Sequence, residues 1–431
     1  GHATNTDITG TVIINSDAAA TTIHNAGGAV TLTSGALTMN DAANTVDVTT
    51  GTLNMNNATG AVTIAAGSAT INDVAADATI DGGTVSIHDA TGANSTVTVN
   101  GGALTINDIT NDLAITAGTV TAVASVGGNV TASGGAITSV GNITGNLALT
   151  NDADVTATSN VDGNATLSNT STAAIAGTIG GNLTLNDTAS ADIAGDITGT
   201  TIAGANATLN FTGAGTTTGA VTADGGFSVS ANRIFSHATL STPSIALQGS
   251  GTSLELTSAD LGAIDVTSSA NDSSNNITVN VEQNITGDIG AAGNQLGSLI
   301  LNADVVANIN TATFYADVTT ATDNTGTVNF GSAATHSRDF GDATNALKAI
   351  NFNADVTSTG SLYAADITVA NGITATLNGA AFAGLSLDGG AANLNAAFTG
   401  DVASTTNGGT LSATTITGNL DFTNGGTVTS A

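Results

Sequence analysis

The sequence lacks cysteine and tryptophan, has one proline, and contains only three lysine and arginine residues. Without cysteine there is no disulfide framework, and this absence leaves the cellular compartment open. The three basic residues face 33 acidic ones, which gives a formal net charge of -30. Such a chain cannot neutralise phosphates, so nucleic acids and anionic membranes are excluded as partners. No apolar run is long enough for a membrane-spanning helix, and no transmembrane segment is predicted.

What the chain does contain is enough apolar surface for a core. Hydrophobic residues make up 41% of the sequence, the mean hydropathy is +0.24, and charged residues account for only 8%. Disordered chains combine low hydrophobicity with high charge, and this chain does the opposite. Only 3% of the residues are aromatic, so the core is predicted to consist mainly of small aliphatic side chains.

An internal repeat runs through the N-terminal part of the sequence. Residues 35–50, 51–66 and 67–82 align without gaps, and further units begin at Gly83 and Gly102. The unit that begins at Gly83 carries a three-residue insertion near residues 92–95. A fixed 16-residue period of this kind is typical of stacked repeat architectures.

Each unit contains two short stretches in which apolar and polar residues alternate. In the second unit these are Leu53-Asn54-Met55 and Val62-Thr63-Ile64, and the other units repeat the pattern. Alternation with period two indicates half-buried strands, and the glycine at the start of each unit indicates a turn. A unit this small cannot enclose a core alone, but stacked units can pair each strand with its equivalents above and below. The sequence therefore predicts an all-β, right-handed parallel β-solenoid (β-helix) with about 16–17 residues per coil.

Composition divides the chain into two predicted regions. All phenylalanines, both tyrosines and all three basic residues lie at or beyond Phe211. We therefore predict a narrow solenoid with a small aliphatic core over residues 1–210, and a wider one with a phenylalanine-bearing core over 211–431. In the second region, residues 290–305 and 341–356 match at an offset of 51. This offset predicts a superrepeat of three 17-residue coils.

The second region also carries a family resemblance. The GxxxNxLxxIxF unit at residues 341–352 and the segment TGNLDFTNGGTV at 417–428 resemble the passenger regions of rickettsial-type autotransporter surface antigens, mainly over 280–431. The resemblance implies a β-solenoid at a bacterial cell surface that acts as a surface-layer protein or an adhesin. It also implies that the chain is a processed passenger, a fragment of a longer precursor, or a surface protein exported by another route.

A column of asparagine and aspartate residues is predicted at the sixth and seventh positions of the repeat. It consists of Asn40-Asp41, Asn56-Asn57, Asn72-Asp73, His88-Asp89 and Asn107-Asp108. One interpretation is a ladder of turn residues that bond to backbone groups. The other is a cation site, because Asp73, Asp89 and Asp108 would stack about 4.8 Å apart and repel one another unless Ca²⁺ bridged them.

The function predicted from these features is structural. We expect an extracellular, non-enzymatic surface protein at the bacterial cell surface, a coat or surface-layer subunit whose partners are copies of itself, with no required cofactor. An adhesin stalk that contacts host or cell-surface glycans is one alternative, and a carbohydrate-active β-helix enzyme or a phage-type fibre is another. The enzyme alternative depends on the cluster of His336, Arg338, Asp339 and Asp342. His24, His88 and His237 are predicted to be isolated turn or surface residues.

Overall fold

The computed structural model confirms the all-β fold, a parallel β-solenoid of about 23 turns. It describes residues 6–121, 123–157, 159–236, 239–269 and 274–430, and His237 lies outside these ranges. None of these described residues is helical, so this part of the chain has no helix that could cross a membrane. Two compact units, residues 1–209 and 210–431, divide the chain next to Phe211, the first phenylalanine of the sequence.

The strands of the first unit alternate between longer and shorter segments. In chain order they are Val12–Thr22, Asn25–Ala26, Val30–Ala42, Val46–Val48, Thr52–Ala58, Val62–Ile64, Ser68–Val74, Ala78–Ile80, Thr84–Ala90, Thr96–Val99, Ala103–Ile109, Asp112–Ile115, Thr119–Thr121, Val123–Val126, Val130–Ala132, Ala136–Ile143, Leu147–Leu149, Asp154–Ala157, Ala165–Leu167, Thr172–Ile175, Leu183–Leu185, Ser190–Ile193, Thr201–Ala203 and Thr208–Phe211.

In each 16-residue turn of the first unit, the residues that the alternation predicts to be inward are buried. One additional residue at the end of the longer strand is buried as well. In the turn that begins at Gly51, Leu53 and Met55 face the core from the longer strand, and Val62 and Ile64 face it from the shorter one. Ala58, at the end of the longer strand, is also buried, with 1% of its surface exposed. The same buried position holds Val74 and Ile109 in other turns, so the column mixes small and larger apolar side chains. Equivalent residues pair in register, so Leu53 lies between Leu37 and Ala69.

The register follows the period read from the sequence and its one insertion. Paired residues are 16 positions apart from Leu37 to Val85, and Val85 pairs with Leu104, 19 positions further on. The three additional residues therefore form a loop outside the strands and leave the stack intact. Beyond Leu147 the turns lengthen, since Leu147 pairs with Ala165, 18 positions further on.

Asparagine side chains connect consecutive turns at one corner of the first unit. The Oδ1 atoms of Asn129, Asn146, Asn164 and Asn182 each accept a hydrogen bond from the backbone N–H one turn further along, at 2.8–2.9 Å. Asp112 begins this row by accepting from the N–H of Asn129 at 2.7 Å. These bonds satisfy corner N–H groups that would otherwise lack a partner within the protein, and they explain why Gly-Asn recurs before each short strand.

The second unit is built in the same way, from strands of 2 to 9 residues. These are Gly215–Thr217, Val221–Ala223, Phe227–Val229, Arg233–Phe235, Leu240–Ser241, Ser244–Leu247, Ser253–Leu256, Asp265–Ser268, Asn276–Val279, Gln283–Ile285, Ser298–Leu301, Val306–Ile309, Asp317–Thr320, Thr325–Phe330, Ala334–His336, Leu347–Phe352, Val356–Ser358, Leu362–Val369, Thr374–Leu377, Ala381–Leu387, Ala391–Thr399, Val402–Ser404, Thr410–Thr417, Leu420–Asp421 and Thr427–Ser430.

The turns of the second unit are widest in its middle part. Leu254 pairs with Ile277, 23 positions away, and Val328 pairs with Ile350, 22 positions away. Along the column that continues from Ile350, partners are again only 17 or 18 positions apart. Phenylalanines fill the core of this unit, and those that are fully buried are Phe211, Phe235, Phe314, Phe330, Phe340, Phe352 and Phe398.

The prediction that the 51-residue superrepeat spans three stacked coils is wrong. Leu299 pairs with Ile277 and Val318, whereas its sequence equivalent Ile350 pairs with Val328 and Ile367. The two residues therefore belong to different columns of strands. Because strand partners in this stretch lie 19 to 22 positions apart, an offset of 51 corresponds to two turns and part of a third. The repeated sequence thus forms the same local corner on two different sides of the coil.

Candidate functional site

The predicted asparagine and aspartate column exists, and its members lie in register. Asp41, Asn57, Asp73, Asp89 and Asp108 are successive Cα partners in parallel strands. Asparagines at the preceding position donate to the neighbouring carboxylates: Asn72 Nδ2 lies 2.9 Å from Asp73 Oδ2, and Asn107 Nδ2 lies 2.9 Å from Asp108 Oδ2. This arrangement is a side-chain ladder on the outside of the first unit.

Within the ladder, two of the predicted metal ligands approach a histidine. Donor atoms of Asp73, His88 and Asp89 all lie within 4.8 Å of one another. His88 Nδ1 is 3.0 Å from Asp89 Oδ2, and the His88 side chain is 63% exposed. Asp108, the third predicted ligand, is not part of this group. Its carboxylate accepts hydrogen bonds from Asn107 and from Ser125 Oγ at 2.7 Å.

This group of donors differs from the one predicted from sequence. Ca²⁺ takes six to eight oxygen ligands, and two carboxylates supply only part of that set. One imidazole nitrogen with two carboxylates is the donor set that suits zinc and related divalent ions. Sequence reasoning treated His88 as isolated, although the register places it over Asn72 and next to Asp73 of the preceding turn. The stacking of the 16-residue repeat is the signal that would have brought them together.

A shallow trough of about 550 Å³ runs beside this group. It crosses four turns, and among its lining residues are Thr70, Asn72, Ser86, His88 and Asn107. Its two walls are columns of outward-facing side chains from alternate positions of the longer strands. Because equivalent residues repeat at about 4.8 Å, the trough presents a periodic row of hydroxyl and amide groups.

The cluster behind the enzyme alternative does not form one site. His336 is completely buried, and its ring lies 4.7 Å from the ring of Phe330 and 5.9 Å from that of Phe340. Burial lowers the pKa of His336 to about 4. Arg338 instead turns outward and donates to Gln295 Oε1 at 2.7 Å and to Asp317 Oδ2 at 3.0 Å.

The carboxylates near Arg338 also have structural partners. Asp339 Oδ1 accepts from the N–H of Ser361 at 2.6 Å, and Asp342 Oδ1 accepts from two backbone N–H groups of its own turn. Burial raises the pKa of Asp317, although Arg338 and the N–H of Asp339 act in the opposite direction. The sequence cluster thus splits between the core and the turns.

One outward-facing aromatic pair was not foreseen. The rings of Tyr363 and Phe382 are parallel within 7°, with centroids 4.7 Å apart, and the two residues are Cα partners. Phe382 is 40% exposed. Sequence reasoning expected phenylalanines to fill the core, and it missed this pair because the 19-residue offset between them differs from the 17-residue period assumed for this region.

Comparison with known proteins gives no relative from which a function could be transferred. No family model, no curated protein and no solved structure matches this chain.

Proposed function

We propose that this chain is a non-enzymatic structural protein of a bacterial cell surface, a coat or surface-layer subunit that associates with copies of itself. The observation that carries the proposal is the regularity of its outer faces. Thr70, Ser86 and Thr105 form one outward column and Asn56, Asn72 and Asn107 belong to another, each repeated turn after turn. A periodic face of hydroxyl and amide side chains can dock along its length against the same face of a second copy.

The acidic residues make association between copies depend on the salt concentration. A net charge of -30 makes copies repel one another at low ionic strength, and this repulsion is screened over about 10 Å at 0.1 M salt. Divalent cations screen it further. The resemblance to autotransporter passengers is consistent with an extracellular location, where millimolar divalent cations are common.

Electron microscopy of the full chain tests this proposal. We expect ordered sheets or filaments when millimolar Ca²⁺ or Mg²⁺ is added, and dispersed particles in chelator at low salt. Analytical sedimentation in the same buffers, at several protein concentrations, shows whether the assemblies also form in solution. Dispersed monomers under every condition, above all with glycan-cleaving activity, would overturn the structural role.

A second candidate function, an adhesin stalk, is favoured by the stacked pair of Tyr363 and Phe382. Exposed aromatic rings on a polar surface mark binding sites, and sugar rings pack their apolar faces against such rings. The pair is the one close stack of outward-facing aromatic rings among the residues that the structure describes.

Replacing Phe382 with serine is expected to weaken binding of the full chain to a glycan-coated surface about tenfold, because loss of an aromatic contact at the centre of an interface costs about 1–2 kcal/mol. Surface plasmon resonance measures the change. Ile202→Ser is the matched control, since Ile202 is 48% exposed and has no ring. Equal binding by both variants would remove the adhesin candidate.

A further inference from the structure

The first unit contains many carboxylates and no lysine or arginine. All three basic residues, Arg233, Arg338 and Lys348, lie beyond residue 209. No side chain of this unit therefore carries a permanent positive charge. Elsewhere in the ladder the charge is diluted, because Asn57 separates Asp41 from Asp73 and donates to Asp41 Oδ1 at 2.7 Å. From Asp73 onward the column holds three aspartates in consecutive turns.

His88 interrupts the asparagine column at this point of highest charge. In the turns before and after it, Asn72 and Asn107 each donate an amide hydrogen to the adjacent aspartate. Asparagine at position 88 would do the same for Asp89, so the ladder alone does not need a histidine there. The imidazole brings what the amide lacks, a nitrogen that binds transition metals strongly in its neutral form.

We propose that Asp73, His88 and Asp89 bind one divalent metal ion of the kind that histidine prefers, most simply Zn²⁺. Zinc binds histidine nitrogen and carboxylate oxygen at about 2.0–2.2 Å. Rotation of the side chains can bring donor atoms that lie within 4.8 Å of one another to these distances from a shared ion. The ion would supply the positive charge that the first unit lacks and would link two consecutive turns, with water completing its coordination.

This site differs from the calcium site predicted from sequence in its ligands and in its selectivity. It uses a nitrogen donor and leaves out Asp108, which is not in the group of donor atoms within 4.8 Å of one another. Imidazole favours zinc, nickel and copper over calcium and magnesium. The proposal is independent of the proposed structural role, since the ion could bind to a single copy.

Isothermal titration of the full chain with ZnCl₂ at neutral pH tests the site. We expect one saturable site whose affinity falls at least tenfold in His88→Asn and in Asp73→Asn, and remains within twofold of wild type in His24→Asn. His24 is the matched control because it lies beside one carboxylate, Asp7, at 2.8 Å. Both changes at positions 73 and 88 introduce the residue found elsewhere in the same columns, so we expect the fold to persist, which circular dichroism verifies.

Three results would overturn the site. The first is the absence of a saturable zinc site in the wild-type chain. The second is equal affinity of wild type and His88→Asn, which would show diffuse binding to the acidic surface. The third is displacement of zinc by millimolar Ca²⁺, which would show that carboxylates alone bind the ion. NMR signals of the His88 ring distinguish these cases, because only binding at this site shifts them before those of His24.

Discussion

Replacing Gly67 with alanine is expected to lower the free energy of unfolding by about 3 kcal/mol, because two costs add at this corner. Gly67 has φ = 88°, in the left-handed region that costs alanine about 1–2 kcal/mol. The new methyl group would also lie 2.8 Å from the backbone nitrogen of Gly51, one turn earlier, and closer still to its carbonyl oxygen. That oxygen accepts the N–H of Ser68, so a hydrogen bond between turns must lengthen or break.

Gly249 provides the matched control for this change. Its φ is 81°, but an added methyl group would meet no atom within 4 Å. Gly249→Ala therefore reports the backbone cost alone, and we expect about 1–2 kcal/mol. Urea denaturation of the full chain gives both values, and amide hydrogen exchange shows whether the loss is confined to turns near Gly67. If the two variants were equally stable, close stacking of the corner glycines would not matter energetically.

Acidification is expected to destabilise the second unit by about 3 kcal/mol through His336. Its pKa is about 4 in the folded chain, against an ordinary value of 6.5. Between pH 6.5 and 4 the unfolded chain binds the proton and the folded chain does not, so the contribution present above pH 6.5 is lost as pH falls through 4. The cause is burial, since the ring is enclosed by Phe330, Phe340 and Phe314.

His336→Leu isolates this contribution from that of the carboxylates. Leucine already occupies the same column at Leu377 and Leu394, so it fits the core. Neither ring nitrogen of His336 has a hydrogen-bond partner of normal geometry, so the variant should also be slightly more stable than wild type at pH 7.5. Urea denaturation at pH 7.5 and pH 4 measures the difference. Parallel loss of stability in both proteins would assign the acid sensitivity to other groups.

The fold of the first unit could be predicted because its local and global patterns agree. The alternation Leu53-Asn54-Met55 places alternate side chains on opposite faces, and the 16-residue period brings Leu53 over Leu37. The three-residue insertion near residue 92 could also be identified in the sequence. The third inward position, held by Ala58, Val74 or Ile109 in different turns, was missed because it follows the inward residue before it, such as Met55, by three positions and so breaks the alternation.

The second unit was less predictable because its corners vary in length. A repeat in sequence indicates a stack only if the turns between the copies have constant length, and those between Leu299 and Ile350 do not. The same variation concealed the stacking of Tyr363 on Phe382. In the first unit, by contrast, the constant period was sufficient to place Asp73 next to Asp89, and only the contribution of His88 was overlooked.

The pairing of each strand with its equivalents one turn away has a consequence for how the chain folds. Strand partners are one turn apart wherever they occur in the sequence, so closing the next turn costs nearly the same entropy however many turns already exist. Folding can therefore proceed turn by turn from any completed turn. The rate of each step depends on closing one loop and not on the total length of the chain. Lengthening such a chain by gene duplication would add stability without slowing the growth of the stack.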